Sequence, residues 1–379
     1  MRKLLLVLAL LLAAPLFADD TLPADVDKAV ADILAKTGAP SASVAVVRDG
    51  KIAYVHAYGL ARLEPKTPAT PRMRYSIGSI SKQFTAAAIL MLAEDGKLSL
   101  DDKVVRWMPE LTRAKDVSIR QLLSMTSGYQ DFWPQDYVMP GMLEPATARQ
   151  IADTWAKKPL DFEPGTRWQY SNTNYAIAGM IAERAAGMPL IDFLRQRVFT
   201  PLQMTSVFDT DAGALPAEDP ARYLRYALGP LRPAPKEGKG WMFAAGELAM
   251  TAQDLAKWDI SMIDESVLKP ASYRELEREV LLANGAGTHY GLGVSVNMTD
   301  NRRVISHGGE VSGFTAQNAV YPDQRAAIVV LTNLDAASAS EQITVVAKRS
   351  CALAKKTLRA WTFTMPDGKL EQYMVAAVE

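Results

Sequence analysis

One cysteine, three histidines and no excess charge of either sign are spread over 379 residues. Cys351 has no thiol to pair with inside the chain, which excludes a disulfide-stapled scaffold. The 42 basic and 42 acidic side chains include no basic block, so there is no electrostatic footprint for nucleic acid. No two histidines stand at helical metal spacing, and Gly-x-Ser-x-Gly, a phosphate loop and Gly-x-Gly-x-x-Gly are all missing. His56, in a hairpin, and His289, in a turn, read as ordinary structural residues. A hydrophobic content of 49% without repeats or low-complexity tracts excludes disorder and coiled coil.

Long apolar runs are equally scarce. The run from Leu4 to Ala18 is shorter than the ~20 residues a spanning helix needs. It follows Arg2 and Lys3 and ends on Ala18 before Asp19 and Asp20, the pattern of an export signal cleaved after Ala18. A periplasmic or secreted protein is expected, with no stable membrane insertion after cleavage. No cysteine near the cleavage point offers a lipid anchor.

The remaining length exceeds the roughly 250 to 300 residues at which one core stops growing, so two subdomains are expected. Residues 24–36 read as an amphipathic helix closed by Gly38. Ser43 to Arg48 and Lys51 to Tyr58 read as a hairpin turning at Asp49-Gly50. From Ser79 to Leu202 the pattern is helical, with segments ending at Gly96, Gly128 and Gly187. Prolines and glycines between Thr210 and Gly240 predict a long irregular segment bordering a cleft. Thr251 to Asp254 resembles a capping box. Strands are predicted at 290–296, 303–307, 315–321 and 326–332, then a helix over 336–352. The expected fold is α/β, an antiparallel sheet built from both chain ends, flanked by helices, with an inserted mainly helical domain. In that division residues 19–78 and 245–355 form the sheet domain, and 79–244 the helical domain and cleft loops. Residues 356–379 form a tail with a turn at Asp367-Gly368.

Three short phrases carry chemistry. Gly78-Ser79-Ile80-Ser81-Lys82 opens an apolar helical stretch, and Ser-x-x-Lys puts a hydroxyl and an ammonium on one face, one turn apart. A lysine driven toward neutrality can take the serine proton. Spacing alone is not specific, since Ser266-Val-Leu-Lys269 also matches, but Pro270 follows that copy at once. Tyr170-Ser171-Asn172 is the single Tyr-x-Asn among 13 tyrosines. Its phenol can shuttle a proton and its amide can orient a lysine. His307-Gly308-Gly309 ends a β-rich run, where paired glycines admit a substrate backbone and leave N–H groups to donate.

In this order the three phrases resemble the penicillin-recognising serine hydrolases, in the branch of class C β-lactamases, D-amino-acid peptidases and carboxylesterases. Leu122 to Gly128, Phe162 to Gly165 and Ala245 to Thr251 match the same branch, so the resemblance spans nearly the whole mature chain. It implies Ser79 as the acylated nucleophile, Lys82 as its base or proton relay, Tyr170 as general base or acid, and Asn172 as the orienting amide. His307, Gly308 and Gly309 become the strand motif beside the nucleophile. The backbone N–H groups of Ser79 and Glu310 become the oxyanion hole. No metal or organic cofactor is implied.

The resemblance implies an exported serine hydrolase acting through an acyl-enzyme on an ester or amide, of carboxylesterase or D-amino-acid peptidase type. The branch's β-lactamases carry Lys-Thr-Gly where this chain has His307-Gly308-Gly309, and neutral histidine and glycine are a poor carboxylate anchor. A β-lactamase or D-Ala-D-Ala carboxypeptidase is the alternative. A non-catalytic protein binding penicillin or cell-wall fragments is the alternative from another class. The partner expected is a small-molecule or peptide substrate, and no sequence feature sets the oligomeric state.

Overall fold

The computed structural model describes residues 22–133, 138–226, 229–335, 340, 342–344, 356–364 and 370–378. The export segment, Cys351, most of the helix expected over 336–352 and the Asp367-Gly368 turn lie outside the described residues.

Helix α1 (Leu22–Thr37) buries Val26, Val30 and Ile33 on one side, the spacing of a helix lying on a sheet. The hairpin β1 (Ser41–Arg48) and β2 (Lys51–Arg62) turns through Asp49 and Gly50, both at positive φ (54° and 72°), which matches the twist of the paired strands. After β3 (Thr67–Pro68) and β4 (Tyr75–Ser76), a 3₁₀ turn at Gly78–Ile80 leads into α2 (Ser81–Glu94).

The helical part continues with α3 (Ile119–Leu123), α4 (Ala148–Trp155), α5 (Asn172–Ala186) and α6 (Leu190–Leu194). Two expected helix ends hold: Gly96 and Gly187 follow α2 and α5 at positive φ. Gly128 ends no helix. A Cβ there would lie 2.4 Å from the Phe162 carbonyl oxygen, so it is a crossing point of two loops. Among the described residues between Thr210 and Gly240, only the two-residue strands β6 (Tyr223–Leu224) and β7 (Arg232–Pro233) form, after β5 (Phe208–Asp209).

The chain returns through β8 (Leu248–Met250), α7 (Ala252–Asp264) and α8 (Pro270–Leu276) to β9 (Ser295–Thr299), β10 (Arg302–Val311), β11 (Phe314–Tyr321) and β12 (Ala326–Thr332). Thr251 caps α7 by accepting from Asp254 N–H at 3.1 Å. The Asp254 carboxylate turns instead to Ser206 N–H, 2.7 Å away, so the box is only half made. Two strand expectations change. Residues 290–294 form a single bridge, Tyr290 to Ser295, and β10 runs four residues past His307, so the glycine pair lies inside a strand and not at its end. β13 (Lys356–Thr364) and β14 (Leu370–Val378) pair with each other.

The main sheet is antiparallel with strand order β3-β2-β1-β12-β11-β10-β9, so the first long strand and the last of the sheet lie side by side at its centre. β1 and β12 are covered on both faces and read as near-continuous apolar runs. Ala45, Val47, Val329 and Leu331 enter the large core shared with α2 and α7. Val44, Val46, Ile328 and Val330 meet α1 on the other face. Each such side chain contributes about 1.5–3 kcal/mol of burial. α2 is the central post: Ser81 to Leu92 are all buried, and Phe84 packs on Trp258 at 4.8 Å and Phe199 at 5.6 Å between ring centres. An ammonium placed on that helix is therefore drawn into the interior.

Candidate active site

Ser79 sits in the 3₁₀ turn and Lys82 is the second residue of α2. The segment before the turn is held against β8: Tyr75 pairs with Met250, and Ile77 N–H donates to Leu248 O at 3.0 Å. Leu248 N–H in turn donates to Ser81 Oγ at 3.1 Å. This clamp brings the turn 242–246 over Lys82.

Lys82 is 0% exposed. Its Nζ lies 2.9 Å from Ser79 Oγ, 2.8 Å from Asn172 Oδ1 and 2.8 Å from Ala245 O. The rings of Tyr170 and Tyr175 stand 5.0 and 5.5 Å from it. Burial pushes the ammonium down to about 7, with Asp131 and Glu247 pulling the other way. Near neutral pH an amine with a lone pair is thus populated. Ala245 O and Asn172 Oδ1 are acceptors only, so they take its two N–H bonds and leave the lone pair facing the Ser79 hydroxyl. That geometry suits proton transfer from serine to lysine.

Tyr170 precedes α5 on a segment backed by the loop after α3, where Gln169 N–H donates to Met125 O at 3.0 Å. Burial raises its phenol well above the ordinary value, while a hydrogen bond with the Ser79 side chain offsets part of that rise. It is therefore a neutral O–H beside Ser79, fit to relay a proton and not to act as a phenolate. Ser171 occupies the helix cap without a side-chain bond, and Asn172 is spent on Lys82.

β10 closes the other side. A Cβ on Gly309 would lie 1.9 Å from Ile77 O and 3.3 Å from Ser79 N, and one on Gly78 would lie 2.7 Å from Glu310 N. Only glycines let the strand come this near the turn, and the approach places the N–H groups of Ser79 and Glu310 together. Gly308 faces away, toward Gln317 Oε1 at 3.2 Å.

His307 is brought near these groups but not into the open cleft: it is 6% exposed, with its ring 6.2 Å from that of Tyr170. Its Nε2 meets the Tyr290 hydroxyl at 2.8 Å and its Nδ1 meets Gly308 O. Nδ1–H donates to the carbonyl and Nε2 accepts from the phenol. Burial, together with the charge of Lys82, pushes the imidazole down to about 4, so it is neutral at physiological pH.

The cleft above Ser79 has a volume of about 480 Å³. Ser79, Tyr170, Asn172 and Glu310 form its reactive floor, and Trp133, Leu224, Tyr226 and Met242 supply apolar walls. Leu224 and Tyr226 come from the irregular Thr210–Gly240 stretch. The second Ser-x-x-Lys copy is elsewhere: Ser266 and Lys269 are both exposed, and Lys269 caps the short α8. His56 packs against Tyr58 at 4.7 Å between ring centres, and His289 lies 3.5 Å from Glu279 at the surface. Among the described residues no group of three or more His, Cys, Asp or Glu is placed to hold a metal, and no helix is long and apolar enough to cross a membrane.

Sequence reasoning gave Asp131 and Tyr290 no part in the site, and it marked Ala245 and Glu247 only as members of the phrase Ala245 to Thr251, without a role. Ala245 contributes only a carbonyl, and Asp131 lies in a loop with no periodicity to mark it. The positions of Tyr290 and Glu247 depend on contacts with distant strands and helices.

A family model described as Beta-lactamase matches residues 26–349. Penicillin-binding protein 4* of Bacillus subtilis (strain 168) is 29% identical over 320 residues, covering 79% of this chain and 69% of that protein. A D-aminopeptidase of Brucella anthropi is 30% identical over 312 residues, 78% of this chain, which spans 56% of that relative's length. The D-amino acid amidase from Ochrobactrum anthropi SV3, solved with D-phenylalanine, superposes with a TM-score of 0.75 at 25% identity, covering 86% of this chain and 98% of that one.

Proposed function

The chain belongs to the Beta-lactamase family, and from that premise we propose that it is an exported serine hydrolase acylated on Ser79 by esters or amides. The reading is carried by one observation: Lys82 Nζ, buried and pushed down to about 7, lies 2.9 Å from Ser79 Oγ, with Asn172 Oδ1 and Ala245 O each 2.8 Å away to take its N–H groups. In the first half-reaction Ser79 Oγ gives its proton to Lys82 and attacks the carbonyl carbon. The N–H groups of Ser79 and Glu310 receive the oxyanion. Tyr170 relays the proton from Lys82 to the departing alcohol or amine as the C–O or C–N bond breaks. Water enters by the reverse route: its proton passes through Tyr170 to Lys82, its oxygen takes the acyl group, and Ser79 recovers a proton.

A carboxylesterase or a D-amino-acid peptidase fits this site better than a β-lactamase. Both ring nitrogens of His307 are engaged inside the protein, so the histidine offers no charge to a substrate carboxylate, and Arg225, a cation in the cleft wall, gives one of its N–H groups to Thr37 O at 2.7 Å. Arg303, one of the two arginines that open the same strand, is paired with Glu277 at 2.7 Å. The apolar walls suit a bulky uncharged group, and relatives named D-aminopeptidase and D-amino acid amidase support an amide of a D-amino acid as a physiological class.

The test is an active-site phosphonate with peptide mapping, alongside turnover of p-nitrophenyl esters and D-amino-acid amides. Mass should be added at Ser79 and not at Ser266, and Ser79→Ala should abolish turnover. Labelling at Ser266, or turnover surviving Ser79→Ala, overturns the proposal.

A further inference from the structure

Asp131 lies in the loop after α3 and carries none of the chemistry so far. Its Oδ1 accepts from Asn172 N–H at 2.8 Å and from Trp133 N–H at 3.2 Å, and its Oδ2 accepts from Asn172 Nδ2 at 3.3 Å. Burial raises this carboxyl, but every group bonded to it is a donor, and these donors together with the charge of Lys82 favour the ionised form. An ionised carboxylate can only accept, so the Nδ2 end of Asn172 must face it. The Oδ1 end is then left for Lys82, 2.8 Å away.

We propose that Asp131 is a positioning residue for the Ser79 reaction: by fixing which end of the Asn172 amide faces Lys82, it directs the lysine lone pair at the serine. The inference rests on the reading of Ser79 and Lys82 as the reacting pair. With the amide reversed, Nδ2 would donate to Lys82 and compete with Ser79 for that lone pair. The groups that face Lys82 from the elements packed around it are Asp131 and Glu247, which hold its proton, His307, which feels its charge, and the rings of Tyr170 and Tyr175. Removing the carboxylate removes one of the two acids holding that proton.

Asp131→Asn tests this because it keeps the size and the acceptor for Asn172 N–H while placing an amide donor against Asn172 Nδ2. The Asn172 amide should turn over. The kcat for a neutral p-nitrophenyl ester should fall about 10- to 100-fold. The acid limb of the kcat/KM profile should move to lower pH by about half a unit to one unit. The exchange Asp131→Asn with Asn172→Asp restores an acceptor toward Lys82 and a donor between the two side chains. That double variant should regain at least about tenfold over Asp131→Asn, with its acid limb above that of the wild type because a carboxylate now touches the amine.

Melting temperature and phosphonate labelling of each variant separate misfolding from mispositioning. A folded Asp131→Asn with wild-type rate and pH profile overturns the proposal. So does a folded double variant no faster than Asp131→Asn. Turnover that survives Ser79→Ala would instead remove the underlying reading, so the two failures are distinguishable.

Discussion

Lys82 Nζ stands 2.9 Å from Ser79 Oγ, and the lysine that makes this contact is fully buried. Proximity alone would leave an ammonium beside a hydroxyl. Burial, which pushes the amine down to about 7, turns the contact into a base and its substrate proton.

A lysine that must be unprotonated ties activity to pH in one direction. With a neutral ester, kcat/KM should rise as pH increases through about 7 and fall below it. His307, pushed down to about 4, should contribute no limb between pH 5 and 8. A pH–rate series on wild type and His307→Gln checks both points: the limb near 7 should appear in each. A limb that disappears with His307 would reassign the base.

Lys82→Ala and Tyr170→Phe should each lower kcat by about 10² to 10⁴, the usual range for a positioned acid or base. Because the two groups hand on one proton, the double variant should be far less impaired than the product of the single effects. Single-turnover kinetics of the three variants measures this, and independent multiplying losses would separate the two residues.

The two glycines of β10 should respond differently. Gly309→Ala puts a methyl 1.9 Å from Ile77 O, so the strand must retreat from the turn and the oxyanion donors part. A loss of about 10² or more in kcat is expected. At Gly308 the nearest atom is the movable Gln317 Oε1 at 3.2 Å, and Gly308→Ala should stay within a few-fold of wild type. Equal losses would mean that the strand's approach is not what sets the rate.

Carboxylate-bearing substrates should be poor relative to neutral esters, because His307 is neutral and internally bonded. Installing His307→Lys with Gly308→Thr should raise kcat/KM for a cephalosporin relative to a neutral ester by at least about tenfold. A charge-assisted hydrogen bond is worth roughly 1.5 to 3 kcal/mol. A wild-type enzyme already faster on cephalosporins than on any neutral ester would place the β-lactamase reading first.

Stability carries its own pH signature through Asp259, buried beneath the sheet. Asn318 Nδ2 donates to its Oδ1 at 2.7 Å, and burial lifts the carboxyl to about 8. A folded-state value above the unfolded one means the contribution is complete below the unfolded value, near 3.8, and is lost as pH rises toward 8. Asp259→Asn removes the titration, so the variant's melting temperature relative to wild type should climb between pH 4 and 8 and level off beyond. A constant difference across that range would show that Asp259 ionises freely in the fold.

By itself the sequence determined what depends on neighbours along the chain. The Asp49-Gly50 turn, the ends of α2 and α5 at Gly96 and Gly187, and the Ser79–Lys82 contact all arise within one turn of helix or hairpin. The near-continuous apolar runs of β1 and β12 likewise report that both of their faces are covered. Tertiary structure alone decided the state of the reacting groups. Lys82 takes both of its acceptors from residues 90 and 163 positions away, and the amide of Asn172 is turned by a carboxylate 41 positions back. Tyr290 seals His307 from the opposite side of the motif, and β10 runs past the glycines because its partner β11 continues to pair there. Desolvation and hydrogen-bond direction are set by whatever the folded chain brings within about 3 Å, and residue spacing holds no record of that.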